Sequence, residues 1–174
     1  MSRLRRIADR DRIFFVTTNL ATGVAPLSAE ERSLVLQTLA EVRTSHSFLV
    51  LGYVIMPDHA HLLLACRTES IAKVMHQWKF KTGYAIQRRR GTHGSLWQAR
   101  YFDSICRRSR DVSDKLAYIH ENPVKARLAL HGDKWPWSSA GYYTKTAEPL
   151  LRPDHMEFSG DPEELLWPAP WRCP

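Results

Sequence analysis

Phe48-Leu49-Val50-Leu51-Gly52-Tyr53-Val54-Ile55 runs through Met56-Pro57-Asp58 into His59-Ala60-His61-Leu62-Leu63-Leu64-Ala65-Cys66, and the reading of this stretch decides the fold. Its first part is a near-continuous apolar strand, broken by Gly52 and too short to span a bilayer. Met56, Pro57 and Asp58 make a turn, and the chain returns as a second strand over residues 59–66. The two strands form a hairpin.

Upstream, residues 13–18 are rich in β-formers and read as a first strand. Ser28 and Glu31 have the spacing of a capping box, Pro26 lies just outside it, and Val35, Leu39 and Val42 repeat at helical intervals, which predicts a helix. Downstream, residues 70–89 place Ile71, Val74, Met75, Trp78, Ala85 and Ile86 on one helical face, weakened but not ended by Gly83. A loop over 91–94 leads to a short strand over 102–106. Asp111 or Ser109 then caps a helix that reaches Asn122, where Pro123 disfavours continuation.

The resulting order is β, α, β, β, α, β, then α. This is an α+β plan of the ferredoxin-like type: an antiparallel βαββαβ sheet with helices on one face and a further helix added at the end. The plan hosts many functions and does not choose among them. Residues 1–147 form the expected domain, and the acidic, Pro-rich stretch 148–174 reads as a tail.

Charge narrows the choice. The chain of 174 residues carries a formal +7. Residues 67–110 hold 11 Lys and Arg against 2 acids, whereas the rest is close to balanced. A basic middle on a balanced chain points to a polyanion bound along one face, with solvated helix surfaces as the plain alternative. Cys66, Cys106 and Cys173 show no CxxC spacing, so neither a disulfide framework nor a zinc knuckle is indicated. No apolar leader core follows the basic N-terminus, and a cytoplasmic location is expected.

His59 and His61 are two apart on a strand, so both imidazoles point to one face while Ala60 points to the other. Leu62 and Leu64 continue the Ala60 face into a core. That leaves the histidines on the face a helix need not cover, in a geometry suited to a metal. On the last helix the core stripe is Val112, Leu116 and Ile119; Tyr118 lies off it, and Asn122, one turn on, shares the tyrosine's side. Two readings of Asn122 stand side by side: a metal ligand, or an N-cap for a helix over residues 123–130 that opens on Pro123.

Taken together, Gly52-Tyr53-Val54-Ile55-Met56-Pro57-Asp58-His59-Ala60-His61, then Leu96-Trp97-Gln98 with Phe102 downstream, then Tyr118 through Ala126, and finally Trp137-Ser138-Ser139, resemble the REP-associated tyrosine transposases. These are a branch of the single-tyrosine HUH transposases of bacterial insertion sequences. The resemblance spans residues 13 to 143 and lies in the ordered set rather than in any one piece. Two positions are less typical: Ala60 is small for the hydrophobic HUH position, and Asp58 stands where Asn is also common.

The resemblance implies that His59 and His61 are metal ligands, Tyr118 the nucleophile and Asn122 the third ligand. It also implies attack on single-stranded DNA beside a hairpin, a 5′-phosphotyrosine link, and a joining step that reverses the attack. Mg²⁺ or Mn²⁺ is the expected ion, since two imidazoles and an amide oxygen suit manganese at least as well as magnesium. A monomer is favoured over a homodimer. An ordinary tyrosine hydroxyl titrates near pH 10 and needs help to ionise. His120, two residues on, lies on nearly the opposite side of the helix and is not assigned as base; Lys115 shares the tyrosine's side.

The expected DNA-binding surface comprises Lys79, Lys81, Arg88, Arg89, Arg90 and Arg100, with the N-terminal Arg3, Arg5 and Arg6 and with Lys115 beside the tyrosine. Tyr101 is a candidate for base stacking, and Trp97 reads first as core. Rival readings are a rolling-circle replication initiator with the same chemistry, and a non-catalytic nucleic-acid-binding module on the same fold.

Overall fold

The computed structural model describes residues 12–66, 69–158, 160–163 and 165–166; Arg3, Arg5 and Arg6 lie outside them. Strands β1 (Arg12–Asn19), β2 (Phe48–Ile55), β3 (His59–Cys66) and β4 (Phe102–Cys106) make one antiparallel sheet in the order β2-β3-β1-β4. Between them run α1 (Ala29–Ser45) and α2 (Ile71–Arg90), followed by α3 (Ser109–Lys125). The expected ferredoxin-like plan is thus present.

Strand alternation sends Phe14, Val16, Ala60, Leu62 and Leu64 to one face, where α1 and α2 bury them. Ile13, Phe15, Leu63 and Ala65 go to the other, against Val112 and Ile119 of α3. The face expected to be free of helices is therefore covered by α3. It is this helix that brings Tyr118 to the histidines.

Helix α1 begins as its spacing predicts. The Ser28 hydroxyl accepts from the Glu31 N–H at 3.2 Å, and the Glu31 carboxylate accepts from the Ser28 N–H at 2.8 Å. The same carboxylate receives two bonds from Arg90, Nε and Nη2, each at 2.6 Å. Arg90 also donates to the carbonyls of Ala25 and Pro26 at 3.0 Å each, fixing the end of α2 to the start of α1.

The Arg90 guanidinium, aided by the Ser28 amide, holds the Glu31 carboxyl below the usual carboxylate range despite its partial burial. A depressed folded-state value stabilises the fold above the unfolded value and loses that stabilisation as pH falls through the folded one. Glu31→Gln is expected to cost about 2 kcal/mol at pH 7. It should also flatten the acid-side decline of the melting temperature below about pH 4.5. A melting-temperature profile against pH that superimposes on wild type would contradict the assignment.

Three expectations about the C-terminal half are corrected. Helix α3 does not stop at Asn122; Pro123 lies inside it and is buried, and Arg108, not Ser109 or Asp111, is its N-cap residue. Asp111 instead accepts the amide N–H groups of Arg107 and Arg108 at 2.8 and 3.0 Å. Proline forfeits one backbone bond. Two residues from the helix end this costs little, because the Ala126 N–H still reaches the Asn122 carbonyl at 2.9 Å and the proline ring is buried. The predicted helix over 123–130 is absent, so Asn122 is not an N-cap; the chain leaves α3 through Arg127, at φ +58°.

The stretch after 147, read from sequence as a tail, packs against the domain as far as it is described. Leu151 is buried, its carbonyl accepts from the Tyr53 hydroxyl at 2.7 Å, and Asp154 accepts from the Val50 amide at 2.8 Å and pairs with Arg43. Asp154 fastens this strap to β2 and α1.

A 3-10 turn (Gly132–Lys134) supports α3 from behind. A Cβ at Gly132 would sit 2.1 Å from the His120 carbonyl oxygen, a backbone atom that cannot swing aside. Gly132→Ala should therefore displace α3, lowering stability by about 2 kcal/mol and the melting temperature by roughly 4–8 °C. A variant as stable as wild type would show that α3 is held elsewhere.

Candidate catalytic site

Register puts the site at one end of the sheet. On β3, His59 lies opposite Asn19 and His61 opposite Thr17 of β1. His61 is 4% exposed and stacks on Phe15, with ring centroids 5.5 Å apart. His59 is half-buried, 4.8 Å from His61 between centroids.

Each ring is held through Nδ1. The Thr17 hydroxyl meets Nδ1 of His61 at 2.8 Å, and the Asp58 carboxylate meets Nδ1 of His59 at 2.6 Å. Neither of these partners engages Nε2, as expected where histidines that bind a metal are steadied through the other nitrogen. Burial, the neighbouring His59 and the Lys115 ammonium push His61 down to about 4, opposed by a hydrogen bond with the Asn122 side chain. At neutral pH the ring is uncharged.

Helix α3 delivers the other two groups. Tyr118 is 42% exposed and packs edge-on against His61 and Phe15 at 5.2 and 5.8 Å between centroids. Asn122 donates from Nδ2 to the Tyr118 carbonyl at 3.2 Å, one turn back. The Asn122 side chain also meets the His61 ring. Among the described residues, no group of three His, Cys, Asp or Glu side chains could hold a metal. A metal here would take its third protein donor from the Asn122 amide; two neighbouring imidazoles and one amide oxygen suit such an ion by donor type.

Two lysines border the tyrosine. Lys115 Nζ lies 4.6 Å from the Phe15 ring centroid, and Lys125 Nζ lies 5.6 Å from that of Tyr118 while pairing with Glu121 at 2.8 Å. His120 faces away, with Nε2 2.9 Å from the Ser139 hydroxyl; burial lowers it to about 4. Of these supports, Phe15, Thr17 and Lys125 were not singled out by sequence. Only the strand register identifies the first two, whereas Lys125, seven residues after Tyr118, was within reach of a helical count.

The predicted basic surface is divided. Lys81, Arg88, Arg89 and Arg100 are exposed. Arg90 is engaged by Glu31, and Lys79 donates to the carbonyls of Gln98 and Ala99 at 2.6 and 3.1 Å. Trp97 belongs to the core: 3% exposed, it stacks on Trp78 and donates to Thr82 at 2.8 Å. No helix among the described residues is long and apolar enough to cross a membrane.

Residues 24–122 match the family described as "Transposase IS200 like". The chain is 23% identical over 143 residues to the REP-associated tyrosine transposase of Escherichia coli, covering 80% of this chain and 82% of that one. To the putative REP-associated tyrosine transposase of Haemophilus influenzae it is 23% identical over 150 residues, 80% and 85% of the two chains. A solved structure described as the REP-associated tyrosine transposase bound to a REP hairpin superposes with a TM-score of 0.72 at 21% identity, over 94% of this chain and 98% of the other.

Proposed function

Because the chain belongs to the IS200-like transposase family, we propose that it cuts and rejoins single-stranded DNA next to hairpins of the REP type, using Tyr118 as nucleophile. One observation carries this reading: a single chain brings the Tyr118 ring against His61, while Asn122, one turn along the same helix, bonds to that histidine. The match to a protein bound to a REP hairpin supports the choice of substrate.

In the cutting step the Tyr118 oxygen bonds to phosphorus, the bond from phosphorus to the 3′ oxygen breaks, and the departing oxygen takes up a proton. The phenolic proton leaves to solvent, which reaches the half-exposed ring. The product is a 5′-phosphotyrosine and a free 3′-OH; a second 3′-OH attacking the same phosphorus joins strands and releases Tyr118. Lys115 and Lys125 set positive charge beside the attacked phosphate.

His59, His61 and Asn122 would hold a Mg²⁺ or Mn²⁺ ion, which when bound would supply Lewis-acid polarisation of a phosphoryl oxygen. Thr17 and Asp58 keep both rings turned to present Nε2. Every group named lies in one chain, which supports a monomer as the working unit.

The reading is tested with labelled DNA carrying a hairpin and a single-stranded flank, in Mn²⁺ or Mg²⁺. A denaturation-resistant adduct, absent with EDTA, is expected; binding indifferent to EDTA with no adduct would mark a non-catalytic binding module. Asn122→Ala, at a half-buried helix position, should raise the Mn²⁺ concentration needed for half-maximal adduct at least about tenfold with little change in melting temperature. An unchanged Mn²⁺ requirement would remove Asn122 from the site.

A further inference from the structure

Helix α2 presents a row of side chains at every fourth position on its outer face: His76, Phe80, Tyr84 and Arg88. Such spacing stacks them one above another. Phe80 is 63% and Tyr84 61% exposed, and the His76 and Phe80 rings lie nearly parallel, 6° apart, with centroids separated by 6.4 Å. The row forms one wall of a groove of about 900 Å³, and loop 91–101 forms the other.

That groove is built, not slack. Lys79 reaches across it to the carbonyls of Gln98 and Ala99 and lies 5.6 Å from the Tyr101 ring centroid. Behind it, Trp97 is locked to Thr82 and Trp78. Two large aromatics left in water on a helix whose other face is fully buried gain nothing for the fold.

Charge and shape select the occupant. Residues 71–90 contain no acid, and Lys81, Arg88 and Arg89 are exposed along the same helix. Cations track phosphates and exposed rings receive unpaired bases, whereas a duplex hides its base faces. The loop is also bonded to the catalytic end of the sheet: the Gln98 N–H donates to the Asn19 carbonyl at 2.9 Å, and Asn19 pairs with His59.

From these features we infer that the α2 groove holds the single-stranded flank of the hairpin substrate, with bases stacked on Phe80 and Tyr84 and a phosphate on Arg88. The inference rests on the reading of the chain as a single-strand DNA transposase and adds a binding track to it.

The test uses hairpin DNA with and without a single-stranded flank bearing 2-aminopurine. The wild type is compared with the Phe80→Ala/Tyr84→Ala double variant, whose melting temperature is recorded. Wild type should quench the 2-aminopurine fluorescence. In the variant the quenching should vanish and the flanked hairpin should bind about 100-fold more weakly, about tenfold per aromatic. The blunt hairpin should bind within about twofold of wild type.

A loss for the flanked hairpin less than tenfold greater than that for the blunt one overturns the inference, whether because neither changes or because both fall together. Tyr118 adduct formation by wild type is scored in parallel. An adduct without flank-specific loss defeats the groove alone, and flank-specific loss without an adduct defeats the catalytic reading alone.

Discussion

Tyr118→Phe is expected to leave hairpin binding close to wild type while lowering covalent adduct formation by at least about 10³-fold. The substitution removes one oxygen from a ring that is 42% exposed. The ring contacts with His61 and Phe15 involve the ring itself, not the hydroxyl, and so persist. Stability should therefore move by well under 1 kcal/mol. Gel assays for binding and for denaturation-resistant adduct, run on the same samples, separate the two effects. Residual adduct within tenfold of wild type would assign the nucleophile to another residue.

His61→Ala should be nearly as damaging to cleavage, on the order of 10³-fold, and like the tyrosine variant it should not be rescued by excess Mn²⁺. His61 is the hinge of the cluster, touching Thr17, His59, Phe15, Tyr118 and Asn122. Its removal deletes the imidazole with both its nitrogens, takes one partner from Asn122 and leaves the Thr17 hydroxyl facing a void. Because the side chain is buried, a loss of about 2 kcal/mol in stability should accompany the effect. The measurement is adduct yield across a Mn²⁺ series at a temperature where the variant is folded. Recovery to wild-type yield at high Mn²⁺ would mean that His61 shapes the site without being needed in it.

The elements around the site were legible where local rules agree with the fold. The β2–β3 hairpin followed from an apolar run ending at Pro57-Asp58, and its strands fall at residues 48–55 and 59–66. The α1 start followed from the Ser28 and Glu31 spacing. Spacing also put His59 and His61 on one strand face and Tyr118 off the core stripe, and the three rings are neighbours; the roles expected of them came with the family resemblance.

What was not legible depends on partners distant along the chain. Thr17 supports His61 only through the β1–β3 register. Arg90 looks like any other member of a basic run until Glu31, far upstream, claims both ends of its guanidinium. Pro123 misled for a different reason. The rule that proline ends a helix weighs the lost backbone bond but not the burial of the ring, which here keeps α3 intact past Asn122. Phe80 and Tyr84 were passed over because the stripe sought on α2 was its buried one.

The central claim is that this chain attaches itself to DNA through one tyrosine. It is tested most directly by digesting the adduct with trypsin and nuclease and locating the nucleotide by mass spectrometry. Cleavage after Lys115 and Lys125 yields a peptide of residues 116–125, whose only tyrosine is Tyr118. A nucleotide on Tyr118 in that peptide is the predicted result; a nucleotide on any other residue, or an intact, unmodified peptide from purified adduct, would contradict it.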